Sequence, residues 1–104
     1  MVDPISLILF GLSAFVYGAY IISIYLLTIV ALVDCLEDWA RDNYVDNDDV
    51  GFVTKAISSD NCSHIEGVWN KRTNKVRGAW KIKAQNVDSN VSSKLRQSDV
   101  LLIS

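Results

Sequence analysis

Residues 5–33 read ISLILFGLSAFVYGAYIISIYLLTIVALV, a run of twenty-nine residues without a formally charged side chain. As an α-helix this run would be about 43 Å long, which exceeds the ~30 Å of hydrocarbon in a bilayer. A cleaved signal peptide does not fit, because no base precedes the run, the run is too long and no small-x-small cleavage site follows it. The run therefore predicts one retained transmembrane helix.

Two groups of side chains on the predicted helix indicate contact with other helices. At about 100° per residue, small residues fall on one side of the helix: Gly11, Ala14 and Gly18. Hydroxyl-bearing residues cluster on another side: Ser13, Tyr17, Tyr20 and Thr28. Small residues let helices approach closely in lipid, and hydroxyl groups can form hydrogen bonds between them. We expect this helix to pack on copies of itself or within a larger membrane complex, although small residues are also simply frequent in membrane helices.

Charge divides the rest of the chain into an acidic part and a basic part. Residues 34–49 carry seven acidic side chains and one basic one, whereas residues 50–104 carry nine basic and four acidic ones. Apolar residues keep helical spacing as far as Asn43. We therefore expect a membrane protein with a transmembrane helix and a short amphipathic extension at residues 1–43, an acidic linker at 44–50 and a small basic, β-rich (α+β) extramembrane domain at 51–104.

Orientation and size lead to two further expectations. No base lies in the first four residues and Arg41 follows the helix, so the charge bias favours a cytoplasmic C-terminal domain, most simply at a bacterial inner membrane. A C-terminal domain of about sixty residues buries little core and is marginally stable alone. We therefore expect a partner or self-association.

A β-hairpin is the clearest local pattern in the C-terminal domain. Residues 65–70 and 75–85 alternate apolar and polar side chains on both sides of a four-residue loop, which is typical of a hairpin. Pairing Asn70 with Lys75 would set Trp69 opposite Val76 and Ile65 opposite Trp80. Residues 51–57 and 100–103 are strand candidates, and residues 88–97 are a short helix candidate.

The hairpin is also rich in basic and aromatic side chains that suit an anionic ligand: Lys71, Arg72, Lys75, Arg77, Lys81, Lys83, Trp69 and Trp80. Guanidinium groups match phosphate geometry, and indole rings can stack on bases. The ligand would be a nucleotide, a nucleic acid or an anionic lipid. Two alternatives are a solvated strand face, where Lys discourages aggregation, and a contact with the acidic linker of a neighbouring copy.

Catalytic and metal sites are not predicted. Residues 46–51 resemble the start of a calcium loop but lack two ligands, including the bidentate one. The set Asp60, Cys62 and His64 is too small for a convincing metal site, and no nucleophile–base pair can be assembled around the single histidine. We expect no metal, no cofactor and no enzymatic activity, with a membrane-anchored enzyme as the remote exception.

Two functions remain on the sequence alone. The first is a self-associating membrane protein whose basic domain binds an anionic ligand or partner and acts as a ligand-gated effector or pore. The alternative is a non-catalytic accessory subunit that stabilises a larger membrane complex.

Overall fold

The second half of the uncharged run forms two short elements instead of one helix. The computed structural model of the chain describes residues 8, 20–56 and 62–103. Strand β1 spans Ile21–Leu27 and helix α1 spans Ile29–Asp42. Thr28 separates them, because its backbone is extended and its Oγ1 accepts a hydrogen bond from the Ala31 amide at 3.0 Å. This is an N-cap, which starts a helix at the residue that follows it.

The predicted single-span architecture is therefore wrong. Within the described ranges, no helix is long and apolar enough to cross a membrane. The physical reason lies in Ile21, Ile22, Ile24 and Tyr25, since β-branched and aromatic side chains favour a pleated strand. Most of the side chains expected to contact other helices lie outside the described residues: Gly11, Ser13, Ala14, Tyr17 and Gly18. The other two are Tyr20, which is exposed just before β1, and Thr28, which caps α1.

The described residues form one mixed five-stranded sheet with two helices, a small α+β fold. After α1 come β2 (Asp49–Lys55), β3 (His64–Asn70), β4 (Lys75–Val87), helix α2 (Ser89–Gln97) and β5 (Val100–Leu102). The strand order is β1-β4-β3-β2-β5. β1 lies parallel to β4, and the other neighbours are antiparallel. The predicted hairpin, the short helix and the last strand are thus present.

A β-bulge at Arg77 changes the predicted pairing of the hairpin. Trp69 pairs with Val76 as predicted, but the register then shifts, so that Val68 pairs with Gly78. Arg77 is the extra residue on β4. A shift of one residue moves every later side chain to the other face of the sheet. Trp80 is therefore opposite Glu66, and the predicted pairing of Ile65 with Trp80 is wrong. Trp69 and Trp80 lie on opposite faces of the sheet.

Each face of the sheet carries a cluster of buried side chains. One face packs against the helices through a cluster of buried residues: Leu27, Leu32, Val53, Val68, Trp80, Ile82, Val91 and Leu95. The other face carries a second cluster: Ile8, Phe52, Ile65, Trp69, Val76 and Val100. Each large apolar side chain removed from water contributes roughly 1.5–3 kcal/mol. The two clusters therefore hold the hairpin rigidly and leave its tip at the surface.

Helix α1 approaches the sheet closely where the strands lack side chains. A Cβ atom on Gly78 would lie 2.5 Å from Nε1 of Trp39, and one on Gly51 would overlap the side chain of Leu36. Glycine therefore makes room for both α1 side chains. This contact fixes the position of Trp39 beside the bulge.

Candidate anion-binding site

The loop between β3 and β4 is held in shape by one side chain. Asn70 Oδ1 accepts hydrogen bonds from the amides of Arg72 and Thr73, each at 3.0 Å. Asn74 has a positive φ of 58°, a conformation that asparagine tolerates better than most residues. The loop is therefore a defined turn that fixes where its basic side chains start.

The acidic segment before β2 folds back onto this turn. The Lys71 amide donates to the Asp48 carbonyl at 2.9 Å, and Asn70 Nδ2 donates to Asp49 Oδ1 at 2.8 Å. Arg72 Nη2 lies 2.6 Å from Asp46 Oδ2, and its Nε lies 3.4 Å from Asp48 Oδ2. A contact between basic and acidic segments was one alternative offered by the sequence, between neighbouring copies; in the structure Arg72 makes such a contact within one chain.

The electrostatics of the Asp46–Arg72 pair agree with this geometry. A backbone hydrogen bond from Asp48, and then the Arg72 side chain, hold the pKa of Asp46 below its ordinary value. The Asp46 carboxylate in turn raises the pKa of Arg72. Both groups are therefore charged across the physiological range, and the pair orients the exposed Arg72 guanidinium.

Arg77 is fixed more firmly than Arg72. Its Nη1 donates to the Tyr44 carbonyl at 2.7 Å and also to the carboxylate of Asp49, whose side chain is only 2% exposed. The guanidinium carbon lies 5.3 Å from the centre of the Trp39 ring, a cation–π distance. The bulge, helix α1 and the acidic segment therefore all position one guanidinium group.

A surface pocket of about 490 Å³ opens at the hairpin tip. Three basic side chains line it, namely Arg72, Lys75 and Arg77, together with the exposed Tyr44 and the paired Asp46. Within the described part of the chain, Lys75 forms no ion pair. The pocket therefore combines two oriented guanidinium groups with one ammonium group that is free to move.

The other predicted ligand-binding residues do not join this pocket. Trp69 and Trp80 are 4% and 1% exposed, so neither ring is accessible for stacking on a base. Lys81 lies further along β4, opposite Ile65, and Lys83 lines a separate depression beside β1. Lys71 is exposed in the loop but does not line the pocket. Tyr44 and the aspartates that hold the two arginines (Asp46, Asp48 and Asp49) were not predicted as site residues. Their only signal in the sequence is an acidic segment directly before a basic one.

A second polar cluster is buried beneath α1. Glu66 is fully buried, and its Oε1 accepts a hydrogen bond from Trp80 Nε1 at 3.0 Å. The Cys35 thiol interacts with the same carboxyl group, yet Glu66 Oε2 makes no hydrogen bond of standard geometry. Burial raises the pKa of Glu66 to about 8 and that of Cys35 to about 12. The thiol is therefore protonated at neutral pH, which makes it a poor nucleophile.

The residues around the single histidine have a structural role. His64 Nδ1 lies 2.9 Å from Ser63 Oγ, which donates to the Ile82 carbonyl and accepts from the Ala84 amide. The Ser63 hydroxyl is therefore hydrogen-bonded to the backbone of β4 and joins the start of β3 to that strand. Burial lowers the pKa of His64. Asp60 lies outside the described residues, and among those described no three side chains are placed to hold a metal ion.

A mostly apolar groove of about 250 Å³ lies between α1 and the β2–β5 side of the sheet. Leu36, Trp39 and Ile103 contribute to its walls, and Glu37 and Asp49 contribute the acidic groups. Binding sites usually combine apolar walls with several convergent polar groups. The pocket at the hairpin tip meets the second condition better, because the basic side chains of Arg72, Lys75 and Arg77 all line it.

Comparison of the chain with protein-family models, with curated proteins and with solved structures finds no match. A functional assignment therefore depends on the geometry and charges of the site itself.

Proposed function

We propose that this chain is a non-catalytic binding module that takes one small anionic group, a phosphate or a carboxylate, into the pocket at the hairpin tip. The observation that carries the proposal is the convergence of Arg72, Lys75 and Arg77 on one pocket. Guanidinium groups bind phosphate and carboxylate through paired N–H donors, and an ammonium group adds a point charge.

The aspartates make the pocket selective for a compact anion. Three basic residues (Arg72, Lys75, Arg77) stand beside three acidic ones (Asp46, Asp48, Asp49), so the formal charges of these six residues cancel. Long-range attraction of a polyanion is therefore weak. Short-range hydrogen bonding to one anionic group is favoured instead, because the carboxylates hold both guanidinium groups in place before the ligand arrives.

The ligands that the sequence suggested share a phosphate group, and the pocket at the hairpin tip suits that group better than a base. Nucleotides, nucleic acids and anionic lipids all carry phosphate, but the buried positions of Trp69 and Trp80 remove the stacking surface for bases. The exposed Tyr44 ring, at 81% exposure, is the aromatic surface beside the pocket that an attached group could contact. A single phosphate ester or a carboxylate on a small molecule or a protein partner fits best.

The accessory-subunit alternative remains a second candidate, as a non-catalytic part of a larger assembly. Its specific support is the exposure of apolar side chains on β1, including Ile21 and Tyr25. Under this alternative the hairpin tip has no ligand, and the ion pairs with Asp46 and Asp49 serve only to attach the acidic segment.

Phosphate binding by Lys75→Ala distinguishes the two candidates. Lys75 is the suitable target because its removal breaks no ion pair of the described structure. Calorimetric titration of the purified full chain with inorganic phosphate should show saturable binding that weakens about tenfold or more in Lys75→Ala, since a charged hydrogen bond contributes about 1.5–3 kcal/mol. The matched control is Lys83→Ala on the same strand, which should bind like the wild type. Equal binding by both variants, or none by the wild type, would exclude the pocket.

A further inference from the structure

Strand β1 has an open edge. Its backbone pairs with β4 on one side, and among residues 20–56 and 62–103 no strand pairs with its other side. The Tyr20 carbonyl accepts a hydrogen bond from the Lys81 amide at 2.9 Å. Backbone groups of alternate residues in a strand point to opposite edges. The N–H and C=O groups of Ile21 and Ser23 therefore point to the open side.

This edge lacks most of the features that normally prevent pairing between molecules, and its one irregularity lies towards its C-terminal end, at Tyr25, which has no partner in the register with β4. Exposed edge strands usually carry a charge or a proline, contain a bulge or are very short. Residues 20–27 contain no charged residue and no proline, and β1 has seven residues. The opposite edge strand, β5, has only three. Ile21 and Tyr25 are 46% and 73% exposed, so apolar side chains accompany the open backbone.

We propose that β1 pairs with β1 of a second copy of this chain, in antiparallel orientation, about a twofold axis at Ser23. The two five-stranded sheets would then join into one continuous sheet. In this register the two Ser23 residues exchange backbone hydrogen bonds at the axis, and Ile22 lies opposite Ile24 of the partner subunit on the helical face, within the part of β1 that precedes the irregularity at Tyr25. Side chains that lie directly opposite each other on paired strands pack together and stabilise the pairing.

The identity of the partner follows from the symmetry of the strand. The residues on either side of Ser23 are Ile22 and Ile24, so the same apolar side chain stands at both positions when the strand is reversed. Both isoleucines pack against the core cluster on the helical face. Pairing two copies therefore extends an apolar layer that each copy already has, and no like charges meet at the interface.

This inference is independent of the proposed anion site. β1 pairs with residues 81–87 of β4, whereas the pocket is lined by residues 72–77 at the hairpin end. A dimer joined through β1 leaves Arg72 and Lys75 uncovered on both copies. Loss of dimerisation therefore leaves phosphate binding intact, and failure of phosphate binding leaves the dimer intact.

The molar mass of the full chain in solution tests the proposal. Light scattering should give twice the mass of one chain for the wild type. Ser23→Lys should give the mass of one chain, because it places two ammonium groups directly opposite each other at the twofold axis. Gln85→Lys is the matched control, since it adds the same charge at an exposed position on β4, and it should remain dimeric with an unchanged melting temperature. A wild type of single-chain mass, or a Ser23→Lys variant that stays dimeric, would overturn the proposal.

Cross-linking keeps the proposal testable if Ser23→Lys does not fold. Ser23→Cys should form a disulfide-linked dimer on mild oxidation, because paired antiparallel residues have Cα atoms about 5.5 Å apart, within the range of a disulfide. The wild type, which carries Cys35 and Cys62, and Gln85→Cys are the controls and should not form this link. A Ser23→Cys protein that remains uncross-linked, or that cross-links no more than Gln85→Cys, would contradict the register.

Discussion

Trp80 Nε1 donates a hydrogen bond to Glu66 Oε1 at 3.0 Å, and both side chains are buried on the helical face of the sheet. The pair exists because the bulge at Arg77 shifts the register and sets Trp80 opposite Glu66. Burial of a carboxyl group disfavours its charged form. Glu66 is therefore a protonated core residue up to slightly alkaline pH.

Glu66 should make the stability of the protein fall as the pH rises. Its pKa is about 8 in the folded protein and 4.5 as an ordinary carboxyl group. Between these values the folded state holds a proton that the unfolded state has lost, so the free energy of unfolding decreases by up to ~1.4 kcal/mol per pH unit. Glu66→Gln should flatten this slope and be more stable than the wild type at pH 8. Denaturant titrations at pH 5 and pH 8 measure both effects, and parallel pH profiles for the two proteins would contradict the assignment.

Arg77→Ala should destabilise the protein far more than Arg72→Ala. The Asp49 side chain beside Arg77 is 2% exposed, whereas Asp46 beside Arg72 is 24% exposed. Removing Arg77 leaves a buried carboxylate without its cation, which costs on the order of 3 kcal/mol. Urea unfolding of the two variants provides the comparison. Equal midpoints would show that the Arg77–Asp49 pair is no more important than the surface pair.

Gly78→Ala should loosen the contact between α1 and the sheet. The new methyl group would lie 2.5 Å from Trp39 Nε1, so the indole must move away from Arg77. Inserting a methyl group into a filled space typically costs about 1–3 kcal/mol. The melting temperature should fall, and the fluorescence of Trp39 should change. Gln85→Ala, at an exposed position on the same strand, is the control, and a Gly78→Ala protein as stable as that control would refute the contact.

Asp46→Asn should strengthen phosphate binding. The Asp46 carboxylate orients Arg72 but also occupies its Nη2, so an anionic ligand competes with it for the same guanidinium group. Asparagine keeps an oxygen that can accept the hydrogen bond from Arg72 and removes only the competing charge. Removing one negative charge a few ångströms from the ligand is expected to raise the affinity roughly threefold or more. Titration with inorganic phosphate checks this, with Asp88→Asn on the far side of β4 as a charge-matched control. A weaker affinity in Asp46→Asn would show that orienting Arg72 matters more than competing for it.

The sequence predicted the elements that have a clear period and missed those that depend on context. The hairpin follows from alternation, α2 from helical spacing and β5 from a short apolar run, and their positions agree with the structure. β1 was missed because Ile21–Leu27 lies inside a longer uncharged run, where hydropathy favours a membrane helix and hides the β-branched residues. Hydropathy alone does not distinguish a buried strand from a helix segment.

The bulge at Arg77 and the acidic partners of the two arginines could not be predicted from the sequence. The bulge at Arg77 is one extra residue, and no local pattern marks it, yet it decides which face holds Trp80 and Glu66. The pairing of Asp46 with Arg72 joins residues twenty-six positions apart, and only the path of the chain shows that they meet in one copy. Charge composition identified the right segments, but it could not show that they neutralise each other.

The most direct test of the anion site is a heteronuclear NMR titration of the ¹⁵N-labelled full chain with inorganic phosphate. We expect saturable chemical-shift changes at the Arg72, Thr73, Lys75 and Arg77 amides, and little change at the Lys81 and Lys83 amides further along β4. Shifts spread evenly over all basic residues, or none near the hairpin tip at saturating phosphate, would contradict this expectation.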